Sequence, residues 1–495
     1  MPSTDAILND PELMQAAWDL APLVEGDEER GVQRALDEAR ERAETFATAH
    51  AGHVAELDAA GLTAAMRELA GISELLGRCG SYAMLRFSTD TSDPARGAML
   101  QLVQERATEI ETRLLFFELE WAALDDGRAE ELLAGDELEF CAHYLRTARR
   151  YRPHLLTEPE ERIMAEKAIA SQASWARLFG ELVAAVRVQV ADEELPLDVA
   201  LSRLQSPDRE LRRSVAEAVT TALEPGLRTR AFIYNTLVHD KAVDDRLRNY
   251  PHWLASRNLA NEASDESVMA LITAVRGRFS IPQRWYRLKA RLLGVQRIAD
   301  YDRSAPVLAE ELRFSFAEAR DLVLGTYASF DPEAGRITRR FFDERWIDAP
   351  VRPHKRGGAF CAYTVPSVHP YVMLNFTARR RDVLTMAHEL GHGLHATLAQ
   401  PRGVFHQHTP LTLAETASVF GEQLVFGRML ESVDGDDARL SLLAEQLEGA
   451  IATVFRQMAM NRYEHLVHSW RRDEGELSVD RRCEAWLQSQ GEMFG

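Results

Sequence analysis

The chain has 495 residues, of which 46% are hydrophobic and 27% are charged, and this composition excludes a disordered or fibrous protein. Lys and Arg total 58 against 77 Asp and Glu, which gives a net charge of −19 and disfavours nucleic acid and anionic membrane surfaces as partners. At roughly 150 residues per domain, the length predicts about three structural units, which all-helical enzymes often merge.

The four cysteines are far apart and show no paired spacing of a thiolate metal site or redox centre, so we predict reduced thiols: Cys79, Cys141, Cys361 and Cys483. The first residues lack the basic and then apolar pattern of a signal peptide. No apolar run approaches the length of a membrane span. These features together predict a cytoplasmic protein.

The first 185 residues show apolar side chains at three- and four-residue spacing with few Gly and Pro, which predicts packed helices. Residues 186–197 alternate apolar and polar side chains around an acidic turn, as in a hairpin. A further helix is predicted to begin at Ser206 and Pro207, with the serine as its cap. We therefore predict an N-terminal helical domain over residues 1–200 and a catalytic domain over residues 201–495, in a mostly α protein.

Helical patterning continues to about residue 345, and the amino-acid composition then changes. Residues 350–380 contain four prolines and the pair Gly357-Gly358, and residues 371–376 are a plausible strand. This pattern predicts a small β insert directly before the next helix, where a substrate could be held.

That next helix carries His388-Glu389-Leu390-Gly391-His392. Two histidines four residues apart on a helix present both imidazoles on one side, as a hydrolytic zinc site requires. Glu389 lies between them and is predicted to be the general base that takes a proton from the attacking water. The alternative is a buried helix with two hydrogen-bonded histidines. His395 is a weaker ligand candidate, or else a packing or supporting residue.

The context of the motif favours a metal helix. Asp382 can cap the start of the helix, and a broad apolar side is available for burial: Val383, Leu384, Met386, Ala387, Leu390, Leu394 and Leu398.

The third zinc ligand is expected from a second helix, and residues 413–422 form a mostly apolar helix interrupted by carboxylates. Because a buried carboxylate needs a compensating charge, we predict Glu415 as this ligand. Glu422, two turns later on the same side, is predicted either to orient a ligand histidine or to face water.

Three stretches carry a resemblance to a known family: residues 151–161, residues 355–361 and residues 388–395. On these motifs the chain, from about residue 110 to its end, resembles oligoendopeptidase F, a branch of the thimet-oligopeptidase-like zinc metallopeptidases. The resemblance implies zinc ligands at His388, His392 and Glu415 and a general base at Glu389. It also implies a mostly helical, clamshell-like body that cleaves short unstructured peptides. Gly357-Gly358 and residues 371–376 are local candidates for pairing with a peptide strand.

Members of that family carry a further C-terminal segment with a His and several Tyr residues that stabilise the developing oxyanion. This sequence ends at Gly495 without it, so we expect a C-terminally incomplete chain that binds zinc but turns over slowly. Local candidates for the missing donors are Tyr363, His369, His406 and His408.

The sequence thus predicts a zinc-dependent endopeptidase acting on short oligopeptides. The alternative is an impaired or non-catalytic zinc protein that binds peptides. A zinc aminopeptidase ranks last because no motif for a free substrate amine is evident. Substrate preference and oligomeric state are not readable from the sequence.

Overall fold

The computed structural model describes residues 7, 9–26, 28–308 and 313–495. Helices dominate these residues, and the predicted mostly α class is confirmed. The first helices in the chain are α1 (Pro11–Gln15), α2 (Glu28–His50), α3 (Ala59–Thr89), α4 (Pro94–Ala123), α5 (Asp126–Leu132), α6 (Ala142–Arg150), α7 (Glu158–Ala168) and α8 (Ser174–Ala184).

A two-stranded hairpin, β1 (Arg187–Val190) and β2 (Glu193–Pro196), follows α8. The central helices are α9 (Leu197–Ser202), α10 (Arg209–Leu223), α11 (Leu227–Leu247), α12 (Ala255–Ala260), α13 (Asp265–Arg276), α14 (Ser280–Leu292), α15 (Phe316–Phe330) and α16 (Pro332–Asp343). The last elements are strands β3 (Ile347–Pro350), β4 (Phe360–Ala362) and β5 (Tyr371–Phe376), and helices α17 (Arg380–Ala399), α18 (Leu411–Ser432), α19 (Asp436–Ile451), α20 (Gln457–Glu474) and α21 (Val479–Phe494).

The chain divides into two compact units, each built from two separate segments. The first contains the described residues of Met1–Glu166 and Glu311–Ser432, and the second those of Lys167–Glu310 and Val433–Gly495. The segment 1–200, predicted as an N-terminal domain, thus crosses from one unit into the other. A domain boundary at residue 200 stays a prediction.

The first unit has a continuous apolar core between its N-terminal helices and the β insert. Leu36 and Phe46 of α2, Ile72 of α3 and Trp121 of α4 are fully or almost fully buried. Each such side chain stabilises the fold by roughly 1.5–3 kcal/mol through removal of apolar surface from water. The indole N–H of Trp121 donates to the Leu145 carbonyl at 2.8 Å, so its polar edge is satisfied. This core supports the strands that precede the motif helix.

The predicted β insert is present as a three-stranded sheet in the order β3-β5-β4. β3 is parallel to β5 and β4 is antiparallel to it, with Phe360 opposite Met373. The strand predicted over residues 371–376 is β5, but β5 is the central strand. The prediction that residues 371–376 could pair with a peptide is therefore wrong for Val372 and Met373, which pair with β3 on one side and with β4 on the other. Among the described strands, β4 pairs on one side only.

A buried ion pair fixes the loop that leads into β4. The Lys355 ammonium is fully buried and lies 2.6 Å from a carboxylate oxygen of Asp348 in β3. It also donates to the carbonyls of Leu374 (2.6 Å) and Pro350 (2.9 Å). The Asn375 amide donates to the carbonyls of Arg356 and Gly358, at 3.0 and 2.8 Å. These contacts hold residues 355–358 against the sheet and thereby set the position of β4.

In the second unit the predicted hairpin over residues 186–197 is present, with Val188 and Val190 buried against α10. The predicted start of α10 was two residues too early. Asp208, not Ser206, caps the helix, because its carboxylate accepts from the amides of Glu210 (2.9 Å) and Leu211 (3.4 Å). Both residues are good caps, and the sequence alone does not rank them.

A buried carboxylate, Asp302, ties α10 to the loop after α14. Arg209 and Arg212 each donate to Asp302 at 2.9 Å, and the Ala299 amide donates to it at 2.9 Å. Burial raises the pKa of Asp302, but the hydrogen bonds from Arg209, Ala299 and Arg212 outweigh that effect and hold the pKa at about 2. Asp302 therefore stabilises this unit in its ionised form.

We expect Asp302→Asn to destabilise the second unit by about 3 kcal/mol at neutral pH, because it leaves Arg212 buried without its counter-ion. The depressed pKa makes the stabilisation by Asp302 fully present above the unfolded pKa of about 3.9 and progressively lost as the pH falls toward 2. Denaturant unfolding should show a difference in the free energy of unfolding between the wild type and Asp302→Asn. This difference should become smaller below about pH 4. Arg213→Gln, which removes an exposed ion pair with Glu210 on the same helix, should change stability by less than about 0.5 kcal/mol. A stability difference that does not change with pH would contradict the stabilising role of ionised Asp302.

A second buried cation lies in the same unit. Lys289 of α14 is fully buried, pairs with Glu448 of α19 and donates to the Arg303 carbonyl at 2.6 Å. Burial lowers the pKa of Lys289, while Glu448 opposes that shift. This pair links α14 to α19.

No helix among the described residues is both long enough and apolar enough to cross a membrane.

Candidate metal centre

The motif helix α17 begins directly after β5 and is capped by Asp382, as predicted. The Asp382 carboxylate accepts from the amides of Thr377 (2.7 Å) and Arg379 (3.0 Å) and from the Thr377 hydroxyl (2.8 Å). The predicted apolar side is buried over its first turns, whereas Leu398 is 55% exposed, so the prediction was wrong for that residue. Burial on one side directs the motif histidines to the other side.

Three glycines bring α17 unusually close to its neighbours. A Cβ atom on Gly391 would lie 2.5 Å from the Ala417 carbonyl oxygen and 2.7 Å from the Cα of Ser418, both in α18. A Cβ on Gly393 would lie 2.4 Å from the Phe341 ring, and one on Gly421 of α18 would lie 2.9 Å from the Ala387 carbonyl oxygen of α17. The glycine within the motif is therefore required for the approach of the two helices that carry the candidate ligands.

We expect Gly391→Ala to destabilise the protein by about 1–3 kcal/mol, because the new methyl group forces α17 and α18 apart. The same change should weaken metal binding. Gly427→Ala in α18 is the matched control, since a methyl group added there would have no other atom within 4 Å and alanine favours a helix. Melting curves of both variants, with and without added zinc, would measure the effect. Equal melting temperatures for the two would contradict the packing argument.

The predicted ligands come together. The Nε2 atoms of His388 and His392 lie 3.2 and 3.5 Å from the same Glu415 oxygen, Oε2. All three donor atoms lie within 4.8 Å of one another. Two ligands held at about 2.0–2.1 Å by one tetrahedral zinc ion are about 3.3–3.4 Å apart, and both separations from Glu415 Oε2 are close to that value. The nitrogen and carboxylate donor set therefore fits zinc.

Glu415 is more exposed than the sequence suggested. Its side chain is 61% exposed, so burial does not force a compensating charge on it, and the predicted reason for choosing this residue was wrong. Its orientation is set instead by Ser418, which is fully buried and donates its hydroxyl to Oε2 at 2.7 Å. Sequence reasoning missed Ser418, although its position one helical turn after Glu415 was an available signal.

Glu422 lies behind His388 rather than in open water. Its Oε2 atom is 3.4 Å from Nδ1 of His388, the nitrogen opposite the one that faces Glu415. Burial lowers the pKa of His388, but Glu422, Glu389 and Glu415 raise it, and the net pKa is above its usual value. Of the two predicted positions for Glu422, the geometry favours the one that orients a ligand histidine.

Glu389 is 6% exposed and lies beside this triad without belonging to it. Burial raises the pKa of Glu389 to about 7, although His388 opposes the shift. A carboxylate with such a pKa can both accept and release a proton near neutral pH. This is the behaviour that a general base needs.

The remaining candidates divide into two groups. Tyr363 lies immediately after β4, with its ring centroid 6.4 Å from that of His392, 6.1 Å from that of His395 and 5.8 Å from that of His408. His369 and His406 lie elsewhere: His369 stacks flat on Trp346 at 4.1 Å, and His406 faces His143. His395 is not among the three converging donors.

Two family models match the chain. Residues 202–495, more than half of the chain, match the model of peptidase family M3, and residues 120–187 match the model described as oligopeptidase F. The chain belongs to peptidase family M3. The resemblance inferred from the motifs is thereby confirmed.

This family M3 chain is 24% identical over 418 residues to oligopeptidase PepF of Bacillus subtilis, a match that covers 82% of the chain and 62% of that protein. It is 26% identical over 409 residues to group B oligopeptidase PepB of Streptococcus agalactiae, covering 80% of the chain and 67% of that protein. The chain therefore spans less than two thirds of the Bacillus relative.

Among solved structures, oligoendopeptidase-F of Enterococcus faecium superposes on the family M3 chain with a TM-score of 0.69 at 20% identity. The superposition covers 95% of this chain and 80% of that one. The two proteins share a fold.

Proposed function

We propose that the chain is a zinc-dependent endopeptidase that hydrolyses internal bonds of short peptides. The observation that carries the proposal is the convergence of His388, His392 and Glu415 on one point beside the buried carboxylate of Glu389. Membership of peptidase family M3 and the oligopeptidase names of the relatives support it.

The three converging donors would hold the zinc ion, with Glu422 and Ser418 fixing the orientation of His388 and Glu415. Zinc, when bound at such a site, polarises the scissile carbonyl and acidifies a water molecule. Glu389 would accept the proton of the attacking water and pass it to the leaving amine. A carboxylic acid is acidic enough to release that proton within the same cycle. No covalent intermediate with the protein is needed.

We further propose that β4 receives the peptide. Among the described strands its second edge has no strand partner, and an extended peptide can add to such an edge through backbone hydrogen bonds. Main-chain pairing does not depend on side-chain identity, which suits varied short peptides. The buried Lys355 contacts would keep this edge at a fixed distance from α17.

The alternative function is a zinc protein that binds peptides without cleaving them. It is less well supported, because binding alone does not call for a buried carboxylate beside the donor triad. An aminopeptidase would need a group that recognises the free amine of its substrate, and the sequence shows no evident motif for such a group.

One assay separates the three functions. A quenched fluorescent peptide, acetylated at its N-terminus and amidated at its C-terminus, should be cleaved internally by the purified chain. Cleavage should stop with a zinc chelator and return when zinc is added. Binding without cleavage would favour the peptide-binding alternative, and cleavage only of peptides with a free amine would favour the aminopeptidase.

A further inference from the structure

Tyr363 occupies a position in the first unit that the proposed reaction has not yet used. It is the residue directly after the β4 edge, and the rings of His392, His395 and His408 surround its ring. Its hydroxyl is buried and has no hydrogen-bond partner among the described residues. Buried hydroxyl groups normally have a hydrogen-bond partner. An unpaired one beside a candidate catalytic centre points to a partner that a bound substrate would supply.

Hydrogen bonds from Gln407 and Thr364 fix the backbone around Tyr363. The fully buried Gln407 donates its amide to the Tyr363 carbonyl at 3.0 Å. The next residue, Thr364, has φ of +60°, a conformation that β-branched residues rarely adopt. The Thr364 hydroxyl lies 3.1 and 3.0 Å from the carbonyls of Val368 and His369, which stabilises this turn. Backbone strain of this kind is concentrated at functional sites.

A phenol has an ordinary pKa of about 10, so a tyrosine hydroxyl carries its proton at neutral pH. A protonated phenol can donate a hydrogen bond to a developing negative charge.

We propose that the Tyr363 hydroxyl donates a hydrogen bond to the oxygen of the scissile carbonyl as that oxygen gains negative charge, which makes Tyr363 a catalytic residue. The inference rests on the proposed endopeptidase function. It follows from two placements: a peptide paired with β4 runs beside the residue that follows this strand, and that residue lies next to the ring of His392. A preorganised donor at this point stabilises the transition state more than the bound substrate.

Tyr363→Phe is a clean test, because it removes only the hydroxyl and breaks no hydrogen bond between described residues. We expect kcat to fall by about 10²–10³-fold, the loss typical for one such donor, with KM and zinc content unchanged. The melting temperature of the metal-free protein should not fall. The Ki of a phosphinic peptide, whose charged oxygen replaces the carbonyl oxygen, should rise by a similar factor.

Tyr371→Phe is the matched control. The Tyr371 hydroxyl donates to the Asp19 carbonyl at 2.7 Å, so its loss should lower the melting temperature and leave kcat unchanged. If the wild type cleaves peptides and Tyr363→Phe retains its kcat, the inference is wrong while the proposed function stands. A fall in kcat that accompanies loss of zinc or of thermal stability would also overturn it, since the role of Tyr363 would then be structural. A wild type without chelator-sensitive cleavage would instead overturn the proposed function.

Discussion

Replacement of Glu389 by Gln should reduce kcat by about 10²–10⁴-fold, because glutamine keeps the shape of the side chain but cannot accept the proton of the attacking water. Zinc content should not change, since Glu389 is not one of the three converging donors. A quenched fluorescent peptide at saturating concentration, together with a metal analysis of the same samples, would measure both quantities.

The matched control for this change is Glu431→Gln in α18, whose carboxylate is 73% exposed and pairs with Arg428 on the surface. It removes the same charge from the chain and should leave kcat unaltered. Undiminished cleavage by Glu389→Gln with a full complement of zinc would remove Glu389 from the mechanism.

Replacement of His392 by Ala should abolish measurable activity and weaken zinc binding by more than about 10²-fold, since loss of even an outer supporting residue costs about 10–100-fold in affinity. A metal that binds only the folded state raises the melting temperature. Added zinc should therefore stabilise the wild type and fail to stabilise His392→Ala.

His395→Ala, one helical turn later, is the control for His392→Ala. It should retain zinc and the zinc-dependent rise in melting temperature, because His395 lies outside the donor group. If both variants lost zinc equally, the exclusion of His395 from the zinc ligands would be wrong.

The sequence predicted those parts of the site whose geometry is set by residues close together in the chain. His388 and His392 lie on one helix four residues apart, so their common face follows from helix periodicity alone. The strand over residues 371–376 and the hairpin over residues 186–197 were likewise readable from patterns within a few residues. The choice of Glu415 was supported by the distances, although the argument from burial was mistaken.

The parts that the sequence did not predict depend on contacts between distant segments. β5 was recognised as a strand, but its central place requires both β3 and β4 to pair with it. The need for glycine at position 391 becomes evident only when Ala417 and Ser418 of the neighbouring helix are in place. Tyr363 was one of four possible donors, and its place directly after β4 and beside the ring of His392 becomes evident only in the structure.

The two buried ammonium groups also determine how the protein reacts with amine-directed reagents. The sequence has four lysines, Lys167, Lys241, Lys289 and Lys355, so nearly all of its basic side chains are arginines. Lys289 and Lys355 are fully enclosed and lie in different units, whereas Lys167 is exposed. Acylation of the native protein should therefore modify Lys167 readily and spare the two enclosed amines. During unfolding, the appearance of acylated Lys355 would report on the first unit and that of acylated Lys289 on the second. The unfolding of each unit could therefore be followed separately without an introduced label.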